Sequence, residues 1–500
     1  MDKVIQYILN ELKKGRTDIE KIKKEASLKF GINAFIKNSE LIKAGAHIIR
    51  KPVRTLSGVS PLAVMVKPEG SCKWNCIYCP YTGKAPKSYT GNEPAARRAR
   101  ALNFDPKRQV SVRLKHYRIQ GHSTDKIELI IMGGTFLAME KEYKYNFIKS
   151  IYDQLNNKNS KNLEEAKRIN ETSKHRVVGL TIETRPDVCT KTHIDEMLSY
   201  GATRVELGVQ HPDDNIYRII KRGHTVKHVV ESTSLLKDSA FKIVYHIMLG
   251  LPGSNPNKDI KMIKSIFNDS RFRPDMLKIY PTLVMKNTEL YRMYKNKEYT
   301  PYSFEQTVET ILKIYKILPK YVRVMRIQRD IPSNLIEDGI KKSNLRQIVE
   351  HELISRHIKT NEIRFREIGL RNKKIESPKL FVEEYKASDG KEFFISLEDE
   401  NRDYIIGFIR MRFPNNPFRF EISENTALIR ELHVYGREVE IGKQGDVQHK
   451  GFGSKLLAYA EEMAKSKGMD KMVIISGVGA RQFYYKHGYK LANYYVEKPL

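Results

Sequence analysis

Short apolar segments alternate with amphipathic, helix-length segments from about residue 60 to residue 330, and this alternation constrains the fold more than any other feature of the chain. Strands that alternate with helices pair in parallel, so the pattern predicts an α/β fold whose sheet is open or closed into a full or partial βα barrel. In such folds functional side chains gather at the carboxyl ends of the strands. The predicted strands are Leu62–Val66, Ile127–Met132, Val177–Thr184, Arg204–Val209, Lys242–Leu249, Met276–Tyr280 and Tyr321–Ile327.

We place the βα barrel at residues 59–330. Differences in composition and pattern divide the rest of the chain into three segments. Residues 1–58 are helical in pattern and basic, which fits either a solvated helical cap or an RNA-binding segment. Residues 331–375 are highly charged and helical in pattern, and we treat them as a connecting segment. Residues 376–500 show three strands, a helix, a strand and a helix, which predicts a second, smaller α/β domain.

Charge and cysteine content narrow the class of protein. The chain has 500 residues and a formal net charge of +30, which indicates a polyanionic partner such as nucleic acid, although lysine-rich surfaces also arise from composition bias. No run of about 18 apolar residues predicts a membrane span, and early charges argue against a secretory signal. Four cysteines, three of them within eight residues, exclude a disulfide framework. We therefore expect a cytoplasmic protein with no membrane partner.

The three clustered cysteines follow the first predicted strand with C-x3-C-x2-C spacing, at Cys72, Cys76 and Cys79. Three thiolates in one loop can hold three corners of a [4Fe-4S] cluster and leave the fourth iron open. An open iron suits S-adenosylmethionine (SAM), whose amino and carboxylate groups chelate metal. The alternative, a structural zinc, needs a fourth nearby ligand, and the sequence offers none close by. Cys189 is expected to be a buried thiol.

With this loop the sequence resembles the radical SAM superfamily. The resemblance implies that polar and glycine residues after the second and third strands bind SAM. The second strand ends in Gly133-Gly134-Thr135, and Glu183 and Arg185 end the third. The alternative for the glycine pair is an ordinary strand-to-helix turn.

A second motif lies near the C-terminus, where Gln448, Gly451, Phe452 and Gly453 precede an amphipathic helix. A glycine-rich turn that opens a helix presents free backbone N–H groups, which suit a pyrophosphate. The alternative is an unspecific glycine turn. In this place the pattern resembles the acetyl-CoA loop of GNAT acetyltransferases, and the resemblance implies that the preceding strand contacts the pantetheine arm. The strand residues concerned are Glu431, Leu432, His433 and Val434.

The two motifs together resemble the family of Elongator catalytic subunits, which includes stand-alone prokaryotic forms. Matching stretches include S-Y-T-G-N-E-P, I-E-T-R-P-D, R-G-H-T-V-K and R-E-L-H-V-Y-G. The resemblance implies that a 5′-deoxyadenosyl radical activates the acetyl methyl of acetyl-CoA, which adds to C-5 of a tRNA wobble uridine and, after thioester hydrolysis, leaves 5-carboxymethyluridine. It also assigns Lys126 to acetyl-CoA. The family's tyrosine pair falls on Phe483 and Tyr484, so the hydroxyl role is expected of Tyr484.

Basic residues near the first strand fit a tRNA anticodon arm as partner, although a charge run is often only a solvated face. The residues that we assign to tRNA are Lys51, Arg54, Arg97, Arg98, Arg100 and Arg108. Other Elongator-type subunits are not required by the sequence, and a homodimer is left open.

Three other functions are open to a chain of this kind. A protein lysine acetyltransferase would use the GNAT domain alone, and it would leave the cysteine loop without a role. A non-catalytic tRNA-binding module would use its cluster only structurally. A methylthiotransferase would need more cluster cysteines, and only Cys189 is left over.

Overall fold

The computed structural model describes residues 2–16, 18–31, 36–46, 48, 55, 57–70, 72–371, 377–435 and 451–500. Helices and strands are numbered in chain order. The N-terminal segment is helical, as predicted, and its helices share a small apolar core that includes Ile8, Ile22 and Leu41. Its elements are α1 (Asp2–Lys13), α2 (Ile19–Phe30) and α3 (Asn38–Lys43).

The barrel domain, which we define as the described residues from 57 to 371, alternates strands and helices. It takes in residues 331–371, which we expected to be a connecting segment, because two of their helices, Leu345–Ser355 and Ile363–Arg366, contact the preceding helix Phe304–Ile317 and strand Arg323–Ile327. Its first half comprises β1 (Ser60–Met65), α4 (Pro94–Ala101), α5 (Pro106–Ile119), β2 (Lys126–Met132), α6 (Lys141–Asn156), α7 (Leu163–Asn170), β3 (Arg176–Thr184), α8 (Lys191–Ser199) and β4 (Arg204–Gln210). Its second half comprises α9 (Asp214–Ile219), α10 (Val226–Asp238), β5 (Lys242–Leu249), α11 (Pro256–Asn268), β6 (Met276–Pro281), β7 (Val284–Met285), α12 (Glu289–Lys295), α13 (Phe304–Ile317), β8 (Arg323–Ile327), β9 (Ile336–Asp338), α14 (Leu345–Ser355), α15 (Ile363–Arg366) and α16 (Ile368–Arg371).

Seven strands of this domain form one parallel sheet in the order β1-β2-β3-β4-β5-β6-β8. In β2 the side chains alternate, so that Ile127, Leu129 and Ile131 are fully buried under the helices while the intervening ones face the other side. Residues near the beginning of all seven strands line a single cavity, which requires the sheet to be curled. Within the described chain β1 and β8 do not pair, so the predicted partial βα barrel is confirmed.

The C-terminal domain, residues 377–500, is built on a second seven-stranded sheet in the order β10-β11-β12-β13-β14-β16-β15. Its strands are antiparallel except for the parallel pair β13–β14. Its elements are β10 (Lys379–Ala387), β11 (Gly390–Glu398), β12 (Ile405–Phe413), β13 (Thr426–Val434), α17 (Phe452–Ser466), β14 (Lys471–Ile474), α18 (Arg481–Tyr485), β15 (Lys490–Ala492) and β16 (Tyr495–Pro499).

Four strands precede α17, where the sequence pattern predicted three. The edge strand β10 has mostly exposed or half-buried side chains and carries several charges, so its apolar signal is weak. None of the helices in the described part of the chain combines the length and apolarity needed to span a bilayer.

Buried ion pairs join the two domains. Arg430 on β13 donates to Asp275, which precedes β6, and to Glu392 on β11, and all three side chains are fully buried. Because ionic groups bond only in a defined geometry, this network fixes the C-terminal sheet against one end of the barrel.

Candidate active site

The cysteine loop lies at the carboxyl end of the barrel, directly after β1. Cys76 is buried and Cys72 and Cys79 are half-buried, and the amide of Cys79 donates to the carbonyl of Cys76 at 2.9 Å. Burial raises the pKa of Cys79 to about 12. Burial alone would also raise the pKa of Cys76, but Arg222 and then Arg185 outweigh it and hold that pKa below its ordinary value. Of these two cysteines, Cys76 is therefore the one whose thiolate form the neighbouring arginine side chains stabilise.

The surroundings of this loop fit an anionic iron–sulfur cluster. Three buried nitrogen atoms there have no hydrogen-bond partner among the described residues: Nη1 of Arg185, Nε of Arg222 and Nε2 of His224. Arg185 also pairs with Asp187 at 2.9 Å and donates to the carbonyl of Arg222 at 2.8 Å. Unpaired buried donors beside three thiols suit cluster sulfur atoms, so the residues present could hold a [4Fe-4S] group.

The residues predicted to bind SAM lie around the same end of the barrel. Gly133 has no room for a side chain, because an added Cβ would lie 2.3 Å from Val66, and Gly134 adopts φ +72 against the backbone of Lys87. Thr135 is buried next to them. Tyr89 donates a 2.7 Å hydrogen bond to Glu183. Strand ends and the loop after the cysteines thus meet at one place.

A cavity of about 680 Å³ lies at the opposite, amino end of the barrel, between the barrel and the C-terminal domain. Its barrel wall includes the charged residues Lys126, Glu128, Arg204, Lys242 and Arg323. Its other wall includes Glu431, Leu432, His433, Val434, Gly451, Phe452, Gly453 and Phe483. The structure therefore brings together the described residues that were assigned to acetyl-CoA from both domains, apart from Tyr484.

The C-terminal wall of the cavity has two backbone features that suit a nucleotide thioester. Helix α17 begins after Gly451, whose φ of +80 lies in the left-handed region, and its first N–H groups point toward the cavity end of the helix. Strand β13 pairs with β14 only from Thr426 to Ile429, so the edge of its last residues has no strand partner on that side among the described residues. Gln448 lies outside the described residues.

The phenylalanine of the expected tyrosine pair, and not the tyrosine, contacts the cavity. Phe483 lies on the cavity wall, whereas Tyr484 is buried in the domain core beside Tyr489, and burial raises its pKa above the ordinary value. Successive helical side chains point about 100° apart, so the two rings face different directions. The structure thus brings Phe483, and not Tyr484, to the cavity wall, and the hydroxyl role of Tyr484 stays a prediction.

Buried charges set the protonation states on the cavity walls. Burial lowers the pKa of His433 to about 4 and that of Lys242 to about 8. Burial would raise the pKa of Glu431, but Arg410 and Lys242 hold it below its usual range. At neutral pH the cavity therefore has a neutral imidazole beside an ionised carboxylate.

Sequence reasoning assigned only Lys126 on the barrel wall and missed Glu128, Arg204, Lys242 and Arg323. A signal was present, because Arg204 and Lys242 each open a predicted apolar strand. A charged side chain at the start of such a strand can point into the interior of a curled barrel. Only the curvature of the sheet shows which of these charged side chains lie close together.

The interior of the barrel between the two ends, its lumen, contains polar side chains. On β4, Glu206 lies two residues beyond Arg204 on the same face, and His246 donates to it at 2.7 Å while Lys278 forms an ion pair with it. Carboxylate oxygens of Glu183 and Glu206 and a nitrogen of His246 lie within 4.8 Å of one another. Along β4 the two ends are about 20 Å apart. Lys278 thus places a positive charge beside the buried carboxylate of Glu206.

Of the residues assigned to tRNA, Arg97, Arg100 and Arg108 are exposed on α4 and α5, and Arg98 is half-buried. A guanidinium nitrogen of Arg100 lies 3.5 Å from the position of an added Cβ at Gly91, in the loop that carries Tyr89. The basic face of these helices therefore continues toward the carboxyl end of the barrel. Lys51 and Arg54 lie outside the described residues.

A cysteine loop at one end of a partial barrel and an acetyl-CoA type loop at the other define a radical SAM protein with a GNAT domain. Comparison with family models agrees. The chain matches the Radical SAM superfamily over residues 67–266, the Radical_SAM C-terminal domain over residues 274–355 and the acetyltransferase (GNAT) family over residues 362–489. These matches confirm the predicted cofactors, namely a [4Fe-4S] cluster, SAM and acetyl-CoA.

Full-length relatives identify the family. The tRNA uridine(34) acetyltransferase of Methanocaldococcus jannaschii is 46% identical, covering 99% of this chain and 97% of that protein. Human Elongator complex protein 3 is 39% identical, covering 99% and 96%. The solved archaeal Methanocaldococcus infernus Elp3 with its N-terminus deleted (1–46) is 45% identical with a TM-score of 0.80, covering 89% of this chain and 100% of that one. The chain therefore belongs to the family of tRNA uridine(34) acetyltransferases and Elongator complex protein 3.

Proposed function

We propose that the chain modifies uridine 34 of tRNA in the cytoplasm by building a carboxymethyl group on C-5 of the base. The observation that carries this proposal is the arrangement of the cysteine loop and the cavity at the two ends of one barrel, with polar side chains in the interior between them. The relatives named tRNA uridine(34) acetyltransferase support both the nucleic acid and the nucleoside.

The cluster and SAM, when bound, supply a 5′-deoxyadenosyl radical, a hydrogen-atom acceptor strong enough for an acetyl methyl group. The residues of the chain bind and orient the cluster, SAM and acetyl-CoA. Cys72, Cys76 and Cys79 would hold the cluster, and Tyr89 fixes the carboxylate of Glu183 beside the SAM site. Gly451 and the turn it opens would hold the pyrophosphate of acetyl-CoA.

The lumen between the sites is suited to a reaction that must be kept from bulk water. Glu206 is almost fully buried. Burial by itself would raise its pKa, but Lys278 and His246 outweigh that effect and hold the pKa well below the usual range. The carboxylate of Glu206 thus has its hydrogen-bond donors already in place, so it needs no rearrangement when a reactant enters.

We infer that tRNA lies across the basic face of α4 and α5. Arg97, Arg100 and Arg108 are exposed there, and the loop after the cysteines connects that face to Glu183. Phosphate groups bind such a face chiefly by electrostatic attraction.

Acetyl transfer to a protein lysine is less well supported, because of the charge in the cavity. Basic residues outnumber acidic ones around this cavity, which would oppose entry of a lysine ammonium group. The basic residues are Lys126, Arg204, Lys242, Arg323 and Arg364, and the acidic ones are Glu128, Glu367 and Glu431.

The test is anaerobic reconstitution with iron, sulfide, reductant, SAM, acetyl-CoA and tRNA, followed by mass spectrometry of nucleoside 34. We expect 5-carboxymethyluridine from the wild type and none from Cys76→Ser. Cys189→Ser is the matched control, because Cys189 is also a buried thiol but packs in the barrel core, and it should retain the activity. A cluster-loaded wild type that forms no modified nucleoside, or a fully active Cys76→Ser, contradicts the proposal.

A further inference from the structure

We propose that Arg222 is a positioning residue for the iron–sulfur cluster, holding the Cys76 sulfur in place and making the cluster easier to reduce. The residue belongs to the R-G-H-T-V-K stretch, for which neither the SAM site nor the acetyl-CoA site accounts. The proposal rests on the proposed function only in taking Cys72, Cys76 and Cys79 as cluster ligands.

The segment from Ile220 to His224, which we call the backing loop, packs directly against the cysteine loop. The amide of Ile77 donates to the carbonyl of Ile220 at 3.2 Å. Gly223 lies against the ring of Trp74, where an added Cβ would come within 2.7 Å of the indole. The two loops therefore form one unit, in which a residue of the backing loop has a fixed position relative to Cys76.

From this loop the guanidinium of Arg222 reaches the cluster ligand. Nη1 donates to Sγ of Cys76 at 3.4 Å, and Nη2 donates to the carbonyl of Gly208 on β4. Gly208 leaves the space, since an added Cβ would lie 2.6 Å from Nη2. Arg185 donates to the carbonyl of Arg222 at 2.8 Å and so fixes the backbone that presents the guanidinium.

The partners of Arg222 show that it is not a buried ion pair of the usual kind. A buried arginine is ordinarily paired with a carboxylate. In the described part of the chain its hydrogen-bond acceptors are a sulfur and a carbonyl oxygen, and Nε has none. The side chain is 7% exposed. A buried cation whose nearest anionic group is a cluster thiolate receives its compensating charge from the cluster.

The direction of the effect follows from charge. Reduction adds one electron to the cluster, and a fixed positive charge in contact with a ligand sulfur stabilises the more negative state. Without that charge we expect the ratio of reduced to oxidised cluster at a fixed applied potential to fall about tenfold, which is 59 mV for a one-electron couple.

The experiment compares the wild type with Arg222→Gln, Arg222→Lys and Arg218→Gln, each reconstituted without tRNA or acetyl-CoA. Arg218 is the matched control, because it lies four residues away on α9 with an exposed side chain that donates to Asn215. Iron and sulfide content, the melting temperature of the cluster-free proteins and the EPR signal of the reduced cluster during a redox titration are measured.

We expect Arg222→Gln to show the tenfold fall, Arg222→Lys to stay within about threefold of the wild type because it keeps the charge, and Arg218→Gln to be unchanged. An unchanged ratio in a loaded Arg222→Gln, or an equal fall in Arg218→Gln, overturns the proposal. If Arg222→Gln does not retain the cluster, its retention by Arg222→Lys supports the proposal. If both variants lose the cluster, the melting temperatures of the cluster-free proteins decide the reading. Melting temperatures equal to that of the wild type support the proposal, and lower melting temperatures in both variants overturn it. No reading depends on tRNA modification.

Discussion

Replacing Arg430 by methionine is expected to loosen the joint between the barrel and the C-terminal domain, and with it the acetyl-CoA site. Arg430 is fully buried on β13, immediately before Glu431, where the cavity wall begins. It makes five hydrogen bonds, two to Asp275, two to Glu392 and one to the carbonyl of Phe241. Methionine has a similar length but makes none of them.

The size of the expected loss in stability depends on which cations still pair with Asp275 and Glu392 after Arg430 is removed. Asp275 retains Arg410 at 3.8 Å, and Glu392 retains Arg412 at 3.1 Å and Lys237 at 3.4 Å. Removing one partner of a buried ion pair costs about 3–5 kcal/mol, and the remaining cations place this case at the lower end, about 3 kcal/mol.

The assay is hydrogen exchange together with acetyl-CoA binding by calorimetry. Peptides that cover residues 426–434 should exchange faster in Arg430→Met, and acetyl-CoA should bind about tenfold more weakly, a loss of about 1.4 kcal/mol. Arg356→Met is the control, because Arg356 forms exposed ion pairs with Glu309 and Glu352, whose loss costs about 1 kcal/mol or less. If Arg430→Met changes exchange and binding no more than Arg356→Met does, the interdomain network does not support the site and the reasoning is refuted.

Three further predictions concern pH, the glycine turn and salt. Burial lowers the folded-state pKa of His433 to about 4, so the free energy of unfolding that depends on its neutral imidazole is fully present above pH 6.5 and is lost as pH falls toward 4. Between pH 7 and 4.5, urea unfolding should show that the wild type loses about 2 kcal/mol more of this free energy than His433→Gln does. An equal loss would contradict the prediction. Gly451→Ala should weaken acetyl-CoA binding about fivefold, whereas Gly468→Ala, with a similar φ of +82 at the far end of α17, should bear the same backbone strain of about 1 kcal/mol and bind normally. Removing three exposed arginines of α4 and α5 should reduce the slope of log affinity for tRNA against log salt by about 2, and a control that removes three exposed lysines of α11 should leave it unchanged. The arginine variant is Arg97→Gln, Arg100→Gln, Arg108→Gln. The control is Lys258→Gln, Lys261→Gln, Lys264→Gln.

Local spacing was sufficient for the cofactor motifs. Cys72, Cys76 and Cys79 are close in the chain, so any fold that keeps their loop keeps them close in space. The helix after Gly451 follows equally from a local turn, because a left-handed residue there must be glycine or be strained. The parallel sheet was also predictable, since strand–helix alternation is a periodic signal.

Contacts between distant segments were not predictable from the chain alone. Arg222 reaches Cys76 across 146 positions, and Arg430 reaches Asp275 across 155. Nothing in the local pattern distinguishes these arginines from those on the surface, because their partners are chosen by how loops and domains pack. The same holds for Phe483 and Tyr484, since only the orientation of α18 decides which ring faces the cavity.

The amino-acid sequence by itself determined which chemistry the chain carries, because metal ligands and phosphate-binding turns are short-range arrangements of particular residue types. Only the tertiary structure decided where those chemistries meet. The curl of the sheet turns separate strand ends into a cavity, a lumen and a cluster site, and curl depends on the stagger of seven paired strands and on the domain that covers one end.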